Sequence, residues 1–182
     1  VAGELVLTVG TILNRRRLPE LLRSLALVRR VVPSVLLDVV GENRTHPRLD
    51  LQGLVGRLGL EKHVRFSGFV DEAALADRYA AADAAVFLSD YEGFGLPAVE
   101  SAARGLPVVA SREPSLGEVL GDGALLVDPR DEGAISSALL SVLTDDGVRA
   151  RLRDRGRTLA SRYSWAEAAR ATRNVLHRAA GR

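Results

Sequence analysis

The sequence predicts an α/β fold, a doubly wound parallel sheet in three layers with helices on both faces. Short apolar runs and helical segments alternate about six times along the 182 residues. Each apolar run is unbroken rather than alternating, the pattern of strands buried on both faces. Right-handed crossovers between such strands favour double winding. The length suits a single domain, residues 1–182, able to bury a core without disulfides or metal.

Leu5 to Val9 reads as the first strand, ended by Gly10. Leu18, Leu21, Leu22, Leu25 and Val28 follow at helical spacing, with Pro19 in the first turn, and predict a helix from Leu18 to Arg30. Val35 to Val40 is a second strand ended by Gly41, and Leu51 to Leu58 a modest helix stopped by Gly59. Strands are then expected at 64–66, 84–88, 107–110 and 124–127. Helices are expected from an Asp71 cap to Ala82, from Pro97 to Arg104, and over 132–144, 146–162 and 164–180. Ser115 with Glu118, and Ser164 with Glu167, have the spacing of capping boxes.

Composition excludes several classes. There are no cysteines, so thiolate nucleophiles, thiolate-bound zinc and disulfides are out. Lys62 is the sole lysine, and the arginines reflect a compositional habit more than a partner, since the net charge is only +2. Aromatics make up 4% of the chain, too few for base-stacking surfaces, so no nucleic-acid partner is expected. No apolar run reaches the ~20 residues of a membrane span, and no signal peptide opens the chain. Methionine is absent even at position 1, and the chain reads as a fragment or a processed product.

In a doubly wound sheet, ligands bind where strands end. After the first strand come Gly10, Thr11 and then Arg15-Arg16-Arg17; guanidinium groups there read either as a solvated approach to a helix or as a diphosphate clamp. After the third come Gly68-Phe69-Val70, where glycine permits close approach to the backbone. After the fourth comes the richest segment, Ser89 to Glu100, a glycine-bearing turn running into a helix from Pro97. Free N–H groups at that helix start make an anion site. Gly93 and Gly95 keep it open, while Glu92 and Glu100 flank it; carboxylates beside an anion site make sense as acceptors from sugar hydroxyls. There is no G-x-G-x-x-G after the first strand and no P-loop, which disfavours dehydrogenase and P-loop chemistry. His46, His63 and His177 lack metal-ligand spacing, and no D-x-D is present, so no metal site is expected.

Glu92-Gly93-Phe94-Gly95-Leu96-Pro97-Ala98-Val99-Glu100 resembles the E-x7-E signature of glycosyltransferase family 4. The resemblance runs along nearly the whole chain. Val9-Gly10-Thr11 with Arg15-Arg16 is similar to the family's V-G-T-L-x-P-R-K-N, and Val64 to Val70 to its V-x-F-x-G-x-V. Tyr79 to Asp83 resembles Y-x-x-A-D, Gly105 to Ser111 resembles G-x-P-V-V-A-S, and Glu118 to Pro129 resembles E-V-x-G-x-A-x-L-V-x-P. Tyr163-Ser164-Trp165 resembles the F-S-W that opens the last helix.

The resemblance implies a Rossmann-like domain, the C-terminal, donor-binding half of a two-domain retaining glycosyltransferase. It implies a hexose transferred from a nucleoside diphosphate donor, GDP- or UDP-linked, with no cofactor and no metal. Glu100 would take the ribose hydroxyls and Glu92 a hydroxyl of the donor sugar. The N–H groups of Phe94, Gly95 and Leu96 would meet sugar and phosphate. Arg15 and Arg16 would neutralise the departing diphosphate, Arg16 standing where the family has lysine. Gly10 and Thr11 would border the donor, and Gly68, Phe69 and Val70 would lie near the base. The acceptor, a glycan, lipid or small molecule, would belong to an N-terminal domain absent from this chain, without which little transfer is expected. A cytoplasmic place, or the inner membrane face through peripheral association of the full-length protein, is implied too. The last helix would cross back towards that other domain, leaving Trp165 and Val175 uncovered here. A nucleotide-sugar binding module without transferase activity is the alternative. An epimerase-like domain fits Gly93 to Pro97 and the Ser164-Trp165 helix start poorly.

Overall fold

The computed structural model describes residues 4–181. Six parallel strands form one sheet in the order β3-β2-β1-β4-β5-β6. They are β1 (Leu5–Val9), β2 (Leu36–Val40), β3 (Val64–Gly68), β4 (Ala84–Phe87), β5 (Val108–Ser111) and β6 (Ala124–Val127). The helices are α1 (Leu18–Val28), α2 (Leu51–Arg57), α3 (Glu72–Ala81), α4 (Leu96–Ala103), α5 (Pro114–Leu120), α6 (Glu132–Thr144), α7 (Asp146–Ala160) and α8 (Trp165–Ala179). Because the strands are short and apolar on both sides, each face must be covered. Val6, Leu37, Val39, Val86 and Val109 pack with α1, α2 and α6 through Leu22, Leu25, Val55, Ile135 and Leu139. Leu7, Val40, Ala85, Phe87 and Ala110 pack with α3, α4 and α5 through Tyr79, Ala98 and Leu116. Helix α7 closes one edge, its Gly156 set against Ala102 of α4, where an added Cβ would lie 3.3 Å from the alanine methyl.

Local chemistry accounts for most element limits. Asp71, Asp131, Asp145 and Ser164 each cap a helix by accepting the N–H three residues on, which satisfies a donor the helix cannot. Ser115 does not cap. Pro114 opens α5, so the cap is Glu113, which takes the N–H groups of Ser115 and Leu116. A short 3-10 turn at Asn14–Arg16, not read from the sequence, precedes α1.

Among the described residues, one charged side chain of the sheet is fully buried. Asp38 of β2 is fully buried on the α3 face and is held by Ser67 Oγ at 2.6 Å, by Arg78 Nη1 at 2.9 Å and by Arg65. Burial pushes its carboxyl up, but hydrogen bonds from Arg65 and Ser67 and the charges of Arg65 and Arg78 outweigh that and hold it below its ordinary value. A lowered folded pKa contributes stability that is complete above the unfolded value of about 3.9. That stability is lost as pH falls through the lowered folded value. Urea unfolding against pH is expected to show this acid loss, and Asp38→Asn to flatten it while costing about 1–3 kcal/mol at neutral pH.

Helix α8 is uncovered: every described residue from 161 to 181 is exposed, and Trp165 is 81% accessible. Trp165, Ala168, Thr172, Val175 and Leu176 form an apolar stripe along it. Among the described residues no helix is long and apolar enough to cross a membrane.

Candidate functional site

The strand order places β1 beside β4, and the connections leave these two strands in opposite directions along the sheet. This is the switch point at which open α/β sheets form their ligand crevice. Gly10 ends β1 with φ +129° and donates to Val40 O at 2.9 Å. Thr11 is exposed, and the 3-10 turn then brings Arg15 and Arg16 back over the mouth of the crevice. Arg17, in the left-handed region at φ 46°, turns the chain into α1.

From β4 the chain passes through Ser89 and Asp90 to Glu92. Arg15 Nη1 donates to Ser89 Oγ (2.9 Å), Tyr91 O (2.8 Å) and Glu92 Oε1 (2.8 Å), and its guanidinium lies 5.0 Å from the Tyr91 ring. Arg16 Nη1 lies 3.1 Å from the same Glu92 oxygen. Two cations therefore share one carboxylate whose side chain is 9% accessible. Arg16 lies over Gly10, where a Cβ would come 3.3 Å from Nη2. Its buried Nε has no hydrogen-bond partner among the described residues. Burial pulls the Arg16 guanidinium below its ordinary pKa; the Glu92 charge opposes this and the Arg15 charge adds to it. Arg17 and Arg130 are paired separately, on Asp90, at 2.6 and 2.8 Å.

The loop is pinned from the other side by α5. Ser115 Oγ lies 2.9 Å from Glu92 O and 2.8 Å from Glu113 Oε1. Two helices thus start beside Glu92, and they differ in a way that matters. Glu113 occupies the start of α5. Helix α4 begins after Gly95 (φ +84°) with no side-chain cap; Pro97 has no N–H and those of Ala98 and Val99 donate to Gly95 O, so the Leu96 N–H and the helix dipole are what this end offers to the crevice. A Cβ at Gly95 would overlap the Leu116 side chain, whereas one at Gly93 would meet nothing within 4 Å. Phe94 and Leu96 are exposed, and Phe94 meets the Tyr163 ring edge-on at 5.1 Å.

Glu100, on the exposed side of α4, receives the Tyr79 hydroxyl on Oε2 at 3.2 Å. Gly68 (φ +63°) ends β3, Phe69 and Val70 follow it, and Phe69 is 83% accessible. A cavity of about 730 Å³ opens beside Gly68, between Ile12, Gly41, Asn43, Leu49 and the start of α2. Arg15, Arg16, Gly10 and Glu92 thus meet in one cluster, while Glu100 is held by Tyr79 and the 68–70 turn stands at the β3 end. Among the described residues no group of three His, Asp or Glu side chains is placed to hold a metal ion.

Some site neighbours carry no sequence signal for the place they take. Gly41 (φ +138°) lies against the Gly10 carbonyl, so the ends of β1 and β2 touch through two glycines. In the sequence these glycines close two successive strands, and spacing does not show that they touch. Ser89, which opens the Ser89–Glu100 segment, and Ser115, expected as a helix cap, instead seat Arg15 and the Glu92 carbonyl.

The model for glycosyl transferases group 1 matches residues 2–159. An O-antigen chain mannosyltransferase B of Escherichia coli is 45% identical over 112 residues, covering 62% of this chain and 29% of the relative. Sucrose-phosphate synthase from Thermosynechococcus elongatus superposes with TM-score 0.86 and 30% identity, over 98% of this chain and 46% of that one. The C-terminal domain of a glycosyl transferase group 1 family protein from Francisella tularensis superposes with TM-score 0.77 and 28% identity, over 88% of this chain and 86% of that one. The chain spans less than half the length of the curated relatives it matches. With its doubly wound sheet and its arginine–glutamate cluster at the switch point, the chain belongs to the glycosyl transferases group 1 family, as a glycosyltransferase domain.

Proposed function

We propose that this domain is the donor-binding, C-terminal half of a retaining, family 4 hexosyltransferase that takes a GDP- or UDP-linked hexose without a metal. The single observation that carries this is the sharing of Glu92 by Arg15 and Arg16 next to the uncapped start of α4. A diphosphate entering here replaces Glu92 as the counter-ion of both guanidiniums and supplies an acceptor for Arg16 Nε. The Glu92 carboxylate is thereby released to accept from a sugar hydroxyl. As the bond to the sugar breaks, negative charge grows on the leaving diphosphate and positive charge on the sugar ring. Fixed guanidiniums, the loop N–H groups of Phe94 and Gly95 and the helix N–H of Leu96 stabilise the first, without reorganisation during the reaction. They fill the role that a divalent cation would otherwise fill.

Glu100 takes the ribose hydroxyls, and the turn of Gly68, Phe69 and Val70 takes the base, with Gly10 and Thr11 bordering the donor. Two relatives named as mannosyltransferases make GDP-mannose the first donor to test. The acceptor, a glycan, lipid or small molecule, comes from the remainder of a longer protein that acts in the cytoplasm or peripherally at the inner membrane face. The apolar stripe of α8 packs there too.

Calorimetry on this domain with GDP-, UDP-, ADP- and dTDP-sugars, with and without EDTA, tests the reading. One donor is expected to bind with chelator present, and Glu100→Ala to weaken it by about 1.5–3 kcal/mol. Binding that requires magnesium, or an unchanged affinity in Glu100→Ala, overturns the metal-free site or the ribose role respectively. Donor binding without transfer by the longer protein would favour a binding module.

A further inference from the structure

We propose that Tyr79 is a positioning residue for nucleotide recognition, its buried hydroxyl fixing Glu100 so that the carboxylate presents its second oxygen to the ribose. This rests on the reading of Glu100 as the ribose-binding group.

Glu100 is exposed on α4, and a glutamate in that setting samples many rotamers. Here one of its oxygens is 3.2 Å from a phenol that comes from another helix and is itself only 2% accessible. The Tyr79 ring belongs to the core beneath α3 and α4, packed with Leu7, Ala98 and Ala102. Above it the Arg104 guanidinium lies 4.4 Å from the ring centroid, and Arg104 Nη1 donates to the Glu100 carbonyl at 3.2 Å. The ring is therefore held from below by apolar packing and from above by a cation. Its hydroxyl has one charged acceptor within reach in Glu100. Burial, and then the Glu100 charge, push the phenol above its ordinary pKa, so it donates throughout the working pH range. The ordering of the carboxylate is settled in the folded domain and need not be supplied by the ligand. The contact also joins the β3–β4 crossover, through α3, to the helix that follows the Glu92 loop.

Tyr79→Phe removes one oxygen and keeps the ring. The test compares the binding of GDP and UDP with that of their 2′-deoxy and 3′-deoxy counterparts by calorimetry. The parent domain is expected to prefer the ribonucleotide. Tyr79→Phe is expected to weaken ribonucleotide binding about 3- to 10-fold. Deoxynucleotide binding should change less, so that the preference shrinks. In a Glu100→Ala background the same substitution should change nothing further, because Tyr79 acts through that carboxylate. An unchanged ribose preference in a folded Tyr79→Phe domain overturns the proposal. Loss of affinity equal for ribo- and deoxynucleotides, or additive with Glu100→Ala, does so as well. If Glu100→Ala itself leaves the ribose preference intact, the ribose reading fails first. Should Tyr79→Phe not fold, Arg104→Gln, which uncaps the ring without entering the core, must reduce the same preference; no reduction overturns the proposal.

Discussion

Gly41→Ala is expected to destabilise the unliganded domain by about 3 kcal/mol or more. A melting temperature lower by about 6–12 °C follows for a chain of this size. At φ +138° the backbone conformation is one that L side chains rarely adopt. The space is closed as well: a Cβ would overlap the Gly10 carbonyl oxygen and stand 2.7 Å from its carbon. Both obstacles are main chain, tied down by Gly10 N to Val40 O and Gly41 N to Gly68 O, at 2.9 and 2.8 Å. No side chain can turn aside to make room, so three strand ends must move. Because Gly10 underlies Arg16, the displacement should reach the proposed anion site, and ligand affinity should fall with stability. Gly93→Ala is the matched control, since its Cβ would meet nothing within 4 Å. Thermal unfolding of the two variants decides the matter; equal melting temperatures would show that the β1–β2 ends are not rigidly seated.

Arg16→Ala is expected to weaken nucleoside diphosphate binding by about 2–5 kcal/mol, the cost of deleting one partner of a desolvated charged contact. That is a loss of about 30-fold to several thousand-fold in affinity. The parent nucleoside, which has no phosphate, should bind almost as before. Stability should respond differently. Arg16 is pulled below its ordinary pKa by burial, shares Glu92 with Arg15 and leaves Nε without a partner among the described residues. Its removal relieves an electrostatic cost, so the unliganded domain should keep its melting temperature while the ligand-induced rise disappears. Arg16→Lys retains charge but not the planar fork and should fall between the two. Calorimetry with diphosphate and nucleoside in parallel checks the prediction, and equal losses on both ligands would refute a phosphate role.

The sheet was legible because its cues are local. Apolar runs such as Ala124–Val127, and aspartates placed one residue before α3 and α6, carry their structure within a few positions. Where tertiary contacts decide, sequence and structure part. The helix expected to reach Arg30 ends at Val28, and the strand expected to stop at Phe66 continues to Gly68, whose carbonyl is taken by Gly41. The Asn14–Arg16 turn has no local cause; its Arg15 is anchored on Ser89 and Glu92, more than 70 residues away. Ser115 has the right spacing to Glu118 for a cap, but Pro114 shifts the helix start and gives that task to Glu113. At the site, the arginines and Glu92 read from the sequence as ligand groups, for phosphate and for sugar. That they neutralise one another beforehand depends on bringing the ends of β1 and β4 together, which spacing along the chain does not reveal.

The edge-on contact of Tyr163 with Phe94 gives the free last helix a mechanical connection to the crevice. Tyr163 sits in the turn just before α8, a helix of 15 residues and hence about 22 Å long. At its root this rod meets the loop between Glu92 and Leu96 through this one pair of rings. A surface that covers α8 would therefore stand one ring contact away from the crevice loop.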